Sequence, residues 1–479
     1  MKLQYDPAEG PAFWQAIERL PGYPAGEHMP IPIMLFESDA VYKLPDVLKR
    51  AKGDPAKPVL MVMDNTPMSR QGKDLKELVQ QVLASAGWRV EPVVMQPDTT
   101  GQVHTDMPHI EAVKQHIREG MTLLAVGSGT VCDITKHASY LCEKETGTRS
   151  NLVVFQTANS VSAFTSNMAP TFVDGVKRTL ASRYPDALVC DMETLADAPY
   201  EMTAAGVGDL LAAFVSLPDW YLANQLGMDD SYSELAQDLM GPLDTIFRES
   251  AQSIRDRSPE GMAVLAKMIA LGGLAMSLSH ATTPMSGYEH VMSHILDLLA
   301  EAAAQPLAQH GSQVALTTLL AAEAYQRFMQ EFDASEVNVD ACYPDPAAMS
   351  ARIRQVFLQV DPSGKAGEEC WADYRLKLEA WHAQRPRFEQ FLKTWPEIQP
   401  KLAAWTRTPK DILDIIQATG GPLTFRGLVP PKSKEQALFA FLSAPLMRKR
   451  LTVGDMFIFL NWDREDLWAK VWKGAQPGA

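Results

Sequence analysis

Through the first part of the chain, short apolar runs alternate with stretches whose apolar residues recur at helical spacing. Runs over residues 31–36, 58–63, 89–95, 122–126 and 152–155 read as strands. Between them, residues 40–51, 72–86, 110–119 and 131–141 read as helices; in the second of these, Leu75, Leu78, Val79, Val82 and Leu83 share one face. Strands alternating with helices predict a parallel sheet with covered faces. Near Pro199 the character changes. From there residues 231–254, 261–280, 290–303 and 311–332 carry the 3.6-residue period. A Pro-containing break follows at residues 343–346, and further helices end in 452–460 and 464–472. The pattern predicts an α/β domain of the nucleotide-binding type over residues 1–198 and an all-α domain over 199–479.

Composition narrows the partners. The 479 residues suffice for two domains with large cores. A formal net charge of −14, from 44 basic and 58 acidic residues, argues against nucleic acid as the main partner. A phosphorylated small molecule stays open, because a few local cations are enough to bind one. No apolar run reaches the ~18–20 residues of a membrane span. The first 13 residues carry Asp6 and Glu9 without an apolar core, which does not fit a secretory signal. Five scattered cysteines without a CxxC pair read as reduced thiols of a cytoplasmic protein.

Two groups of residues carry chemistry. Leu123-Leu-Ala-Val-Gly127-Ser128-Gly129-Thr130 is a buried-strand pattern running into a small-residue turn and then a helix. Such a turn lets backbone N–H groups and the helix dipole meet a pyrophosphate, although a plain strand–helix turn reads the same way. Asp64 closes an earlier apolar run, where a carboxylate either accepts bonds from ribose hydroxyls or simply forms a turn. Asp133 and Lys136 follow one turn apart on the helix after the glycines. The second group is Asp209 amid small and apolar residues, His290 and His294 at i and i+4 on one helix face, and His310 at the start of the next helix. A helical histidine is more often a hydrogen-bonded packing residue than a ligand. One carboxylate with two imidazoles, however, makes an open divalent-metal site suited to zinc or ferrous iron.

At these residues the chain resembles the glycerol-1-phosphate dehydrogenase branch of the iron-containing alcohol dehydrogenase, glycerol dehydrogenase and dehydroquinate synthase superfamily. The resemblance runs through Ala125-Val-Gly-Ser-Gly-Thr130 with Asp133-Ile-Thr-Lys136, Gln156-Thr-Ala-Asn-Ser160, Thr165-Ser166 and Asp174-Gly-Val-Lys177. It continues in Ala204-Ala-Gly-Val-Gly-Asp209, Ser216-Leu-Pro-Asp-Trp220, Gly287-Tyr-Glu-His290, His294, His310-Gly311, Ala418-Thr-Gly-Gly-Pro422 and Arg448-Lys-Arg-Leu-Thr-Val-Gly-Asp455. Extra length stands at the N-terminus and around residues 333–400.

The resemblance implies a dehydroquinate synthase-like fold and a metal- and NAD(P)-dependent dehydrogenase. The implied substrate is a secondary alcohol or ketone, with glycerol 1-phosphate and dihydroxyacetone phosphate first. Asp209, His290 and His310 are then the ligands of one divalent metal, zinc, iron or nickel, with His294 a pocket residue beside them. Gly127, Ser128, Gly129 and Thr130 line the pyrophosphate of NAD or NADP, Asp64 holds the adenosine ribose, and Asp133, Thr157 and Ser160 lie along the dinucleotide. Where family members carry an Asp facing the polyol, this chain has Ser162, followed by Ala163-Phe164 instead of Gly-Tyr; Cys132 replaces an Asn of the nucleotide helix. That exchange predicts a changed substrate preference. Alternatives are a cyclase using NAD transiently, like dehydroquinate synthase, and a non-catalytic relative. The oligomeric state stays open, a homo-oligomer included.

Overall fold

The computed structural model describes residues 3–98, 101–173 and 176–476. Asp174 and Gly175 of the family-like motif lie outside the described residues. Ten strands occur among them: β1 Ile33–Glu37, β2 Val59–Asp64, β3 Ser69–Arg70, β4 Lys73–Asp74, β5 Val90–Met95, β6 Thr122–Gly127, β7 Asn151–Gln156, β8 Met168–Val173, β9 Val176–Ala181 and β10 Ala187–Asp191. Six form one sheet in the order β1-β10-β7-β6-β2-β5, and every neighbouring pair is parallel. The other four make two small antiparallel hairpins.

The chain divides into two compact units. The first comprises Met1–Leu210 and Glu234–Ser279, the second Leu211–Ser233 and His280–Ala479. In the first unit the runs of Val, Ile and Leu that read as strands are buried on both faces, as a parallel sheet requires. Val59, Met61 and Met63 face a core shared with Leu44, Val47 and Leu48 of one helix and Leu75, Val79 and Leu83 of another. Leu60, Val62, Leu123 and Ala125 point the other way and are equally inaccessible. The N-terminal segment is tied down by Trp14 Nε1 donating to Ile31 O (3.1 Å) and by a Lys267–Asp6 ion pair (2.8 Å). The Pro259–Leu278 helix is long and apolar enough to cross a membrane by length and composition, which the run-length reading did not anticipate. With 83% of its apolar window buried, it has the surroundings of a core helix.

The second unit is helical. Its Tyr288–Ala302 and His310–Glu331 helices pack together, and the additional stretch after residue 333 forms helices Pro346–Phe357, Lys365–Ala383 and Arg385–Trp405. These belong to the core rather than hanging from it. Trp395 meets Phe328 and Phe332 edge-on at 5.5 and 4.9 Å, and Trp381 stacks on Phe459 at 4.3 Å. Lys377 and Asp455, both fully buried, pair at 2.6 Å.

Two expectations differ from the structure. The helix read over 231–254 is two, Leu235–Met240 and Leu243–Arg255. Gly241 takes φ +58° as the first helix's cap, and Pro242, which has no N–H, precedes the second. The helix read over 110–119 starts earlier, as Met107–Lys114, with Asp106 capping it by accepting from His109 N at 2.9 Å.

Candidate active site

In the first unit, β2, β6 and β7 are neighbours, so Asp64, Gly127 and Gln156 stand at the C-terminal ends of adjacent strands. This edge of a parallel sheet is where α/β proteins place ligands. Ser128 then enters the Gly129–Thr146 helix with an extended backbone and no side-chain capping bond. The first-turn N–H groups of an 18-residue helix therefore lack a side-chain acceptor and suit an anion. Both glycines are needed for packing: a Cβ on Gly127 would lie 2.4 Å from Val131 Cβ, and one on Gly129 2.5 Å from Val161 Cγ2. Thr130 sits in the first helical turn, and Thr157 N donates to Gly127 O at 3.2 Å, stitching the β7 turn to the glycine turn.

Asp133 is buried and paired with Lys136 at 2.8 Å, and Lys136 also donates to Ala163 O at 2.8 Å. This pair fixes the loop after β7, which holds Thr157, Ser160 and Ser162, all buried. Asn159 spans that loop by donating to Met262 O at 3.1 Å and accepting from Gln156 Nε2 at 2.7 Å.

Asp209 lies in the last turn of the Tyr200–Leu211 helix, three residues after Gly206 and so on the same face. A Cβ on Gly206 would sit 2.0 Å from Asn159 O, which means the helix backbone touches the loop directly. That approach lets Ser162 N–H and Ser162 Oγ–H both donate to Asp209 Oδ2, each at 2.9 Å. From the other side Gly272 and Gly273 of the Pro259–Leu278 helix make room: Cβ atoms there would lie 2.9 Å from Ser162 Oγ and 2.8 Å from Ser162 O. A ring of small residues thus sets one carboxylate on one serine.

In the second unit, His290 and His294 rise from the Tyr288–Ala302 helix and His310 opens the next one. The rings of His290 and His310 meet edge-on with centroids 5.2 Å apart, and a nitrogen of each comes within 4.8 Å of the other. His294 lies parallel to His310 at 5.8 Å. Glu289, fully buried, receives Gly287 N–H on Oε1 at 2.7 Å and meets His290 Nδ1 with the same oxygen at 2.9 Å. Ser293 Oγ lies 3.5 Å from His310 Nδ1, and Gln313 donates to Asp297 Oδ1 at 2.7 Å beside it.

Behind His290 the fully buried Asp219 accepts from Tyr288 N (2.8 Å), Tyr325 Oη (2.6 Å) and Val453 N (2.7 Å). Burial, then the nearby Glu289 charge, push its carboxyl up to about 8 against these three donors. Arg450 reaches the loop ahead of His290, donating to Ser286 O and Oγ and to Thr282 Oγ1; its burial lowers its own pKa to about 10.

Sequence reasoning passed over Glu289, Asn159 and Asp219. Glu289 stands inside the Gly287-Tyr-Glu-His290 motif, but neither its spacing nor its type marks it as the partner of its neighbour's ring. Lys76 Nζ lies 3.4 Å from Asp64 Oδ1, a pairing that the sequence did not mark.

Residues 35–199 match the family model described as iron-containing alcohol dehydrogenase. A Bacillus subtilis protein named glycerol-1-phosphate dehydrogenase NAD(P)+ is 28% identical over 311 residues, covering 64% of this chain and 75% of that protein. A protein of the same name from Methanococcoides burtonii is 32% identical over 268 residues, covering 54% and 70%. Among solved structures, an alcohol dehydrogenase from Oenococcus oeni has the same fold, with a TM-score of 0.54 at 14% identity, covering 93% of this chain and 98% of that one.

Proposed function

The chain belongs to the iron-containing alcohol dehydrogenase family, in the company of glycerol-1-phosphate dehydrogenases, and is an NAD(P)-linked dehydrogenase, and from that premise we propose that it acts on a polyol phosphate or its ketone at a divalent metal held by Asp209, His290 and His310. Glycerol 1-phosphate with dihydroxyacetone phosphate is the pair to test first. The observation that carries the reading is the preparation of His290. Its Nδ1 meets a buried glutamate at 2.9 Å, the outer partner that fixes a ligating imidazole's tautomer and turns Nε2 toward the ion. A packing histidine has no need of a desolvated carboxylate, whose burial is costly.

The donor chemistry fits the group. Each of the three residues offers one ligand atom, and two imidazoles with one carboxylate suit zinc, iron or nickel rather than calcium or magnesium, which take oxygen ligands. When bound, the ion supplies Lewis-acid polarisation of an alcohol or carbonyl oxygen, and the dinucleotide supplies the hydride exchange. Asp209 accepts both Ser162 hydrogens on Oδ2, and these two bonds orient the carboxylate. The glycine turn and uncapped helix start hold the pyrophosphate, and Asp64 the ribose. None of the five cysteines is in a disulfide, which fits a reducing compartment, the cytoplasm.

The test is a purified preparation in which metal is quantified and NAD(P) reduction is followed with glycerol 1-phosphate and related alcohols. His310→Ala should lose bound metal and activity while keeping its circular dichroism. Undiminished turnover in metal-free protein would overturn the ligand assignment.

A further inference from the structure

Five arginines and lysines are buried among the described residues: Arg70, Lys136, Arg183, Lys377 and Lys432. Four of them are ion-paired at short range, Arg70 with Asp191 (2.7 Å), Lys136 with Asp133 (2.8 Å), Arg183 with Asp186 (2.8 Å) and Lys377 with Asp455 (2.6 Å). Lys432 is the exception. It is 2% exposed, and among the described residues its ammonium makes no ion pair and no hydrogen bond. A buried charge without such a partner is destabilising, and packing alone gives no reason to keep one.

Its place in the fold points to a reason. Lys432 precedes Ser433, the cap of the Lys434–Ser443 helix, and that helix packs against the Tyr288–Ala302 helix of His290. Its own N–H donates to Phe425 O at 2.9 Å. The charge acting on the ammonium is that of Asp297, which opposes the lowering of its pKa by burial. Asp297 comes three residues after His294 and seven after His290, so the three share one helix face. On that face Gln313 Nε2 lies 2.7 Å from Asp297 Oδ1 and 3.4 Å from Ser293 Oγ, which is itself 3.5 Å from His310 Nδ1. Gln313 Oε1 is buried there without a hydrogen-bond partner.

We propose that Lys432 binds the anionic end of the substrate and sets the preference for a phosphorylated over a plain polyol, while Gln313 Oε1 accepts from a hydroxyl of the same molecule. The inference rests on the polyol phosphate reading above. A desolvated ammonium and a desolvated acceptor, both open, call for a ligand with a negative group and an O–H, and a polyol phosphate has both. An ammonium is a point charge with three rotatable donors, suited to several phosphate oxygens, and charge-assisted bonds of this kind are roughly twice as strong as neutral ones. Arg450 is less suited, because it is already occupied by Ser286 O, Ser286 Oγ and Thr282 Oγ1.

Wild type, Lys432→Met and Lys432→Arg are compared in turnover of glycerol 1-phosphate and of glycerol, and in the Tm shift that glycerol 1-phosphate produces. In Lys432→Met the ratio of kcat/KM for glycerol 1-phosphate to that for glycerol should fall by about tenfold or more, chiefly through KM, the loss expected for a hydrogen bond to a charged group. Lys432→Arg should keep most of the ratio. The Tm shift should shrink in Lys432→Met, whereas its Tm without ligand should equal or exceed that of wild type, because an unpaired buried charge is gone. An unchanged ratio overturns the inference, as does an equal loss on both substrates with a lowered unliganded Tm, which would make Lys432 a packing residue. If wild type turns over neither polyol yet glycerol 1-phosphate still raises its Tm through Lys432, the proposed activity fails and the anion site stands. If glycerol 1-phosphate is neither turned over nor bound, both fail.

Discussion

Glu289 and Ser162 each act on a proposed ligand without being one. Exchanging Glu289 for Gln keeps the shape but removes the charge that holds His290 Nδ1–H, and metal affinity should fall by about 10–100-fold. Competition against a chelating dye reads this, with unchanged far-ultraviolet dichroism as the control. Ser162→Ala removes one of two bonds to Asp209 Oδ2 and should act in the same direction less strongly. Because the Ser162 hydroxyl is engaged by Asp209, it is committed away from a polyol, which fits the expected loss of one substrate contact. Ser162→Asp should therefore raise activity on glycerol 1-phosphate relative to a less hydroxylated alcohol; no change in that ratio would remove Ser162 as the discriminator. The candidate ligands were legible in the sequence because a carboxylate and histidines amid apolar residues are costly to bury without purpose. Glu289 and Lys76 were not, since both look like ordinary charged helix residues until folding supplies their partners.

At the level of elements, contacts between backbones decide the geometry. Gly273 faces Thr165 Oγ1 and Ser162 O, at 2.2 and 2.8 Å from where a Cβ would stand, and the second of these cannot move without the loop. Gly273→Ala should destabilise the protein by about 1–3 kcal/mol, seen as a lowered Tm, and disturb the Asp209 bonds as well. The buried Asp219 joins helices Ala213–Gln225, Tyr288–Ala302, His310–Glu331 and Val453–Phe459. Its folded pKa of about 8 lies above the ordinary aspartate value of 3.8. The native state then holds a proton that the unfolded state has released, so this group's contribution falls as pH rises from about 4 through about 8. Denaturant titrations across that range should show a shallower decline in Asp219→Asn than in wild type. Five of the six strands of the main sheet were legible as short runs of β-branched and aliphatic residues. The sixth, Ala187–Asp191, starts just after Tyr184-Pro185 and runs straight into the Met192–Asp197 helix, so no turn residue marks its end. The β3–β4 hairpin has only two residues in each strand, and β8 opens with Met-Ala-Pro rather than with a run of β-branched residues.

For the whole molecule, the all-helical text after Pro199 marks where strands end, but contacts assign helices on both sides of it to the sheet unit. Residues 234–279 belong with that unit although the chain has by then entered and left the other. Such membership depends on pairings far apart in sequence, which local periodicity does not encode. A fragment of residues 1–210 should consequently aggregate or stay partly unfolded, because it lacks the Pro259–Leu278 helix that buries Asn159 and seats Ser162; a fragment of 1–279 should be better behaved in size-exclusion chromatography. The three crossings, after residues 210, 233 and 279, also set a timetable for synthesis. As the chain leaves the ribosome, the sheet emerges early but waits for a helix encoded some fifty residues beyond its own first ending. Until that helix arrives, the loop that carries Asn159 and Ser162 lacks its partner and is open to solvent and to other nascent chains. This is the interval in which a chaperone has the most to protect.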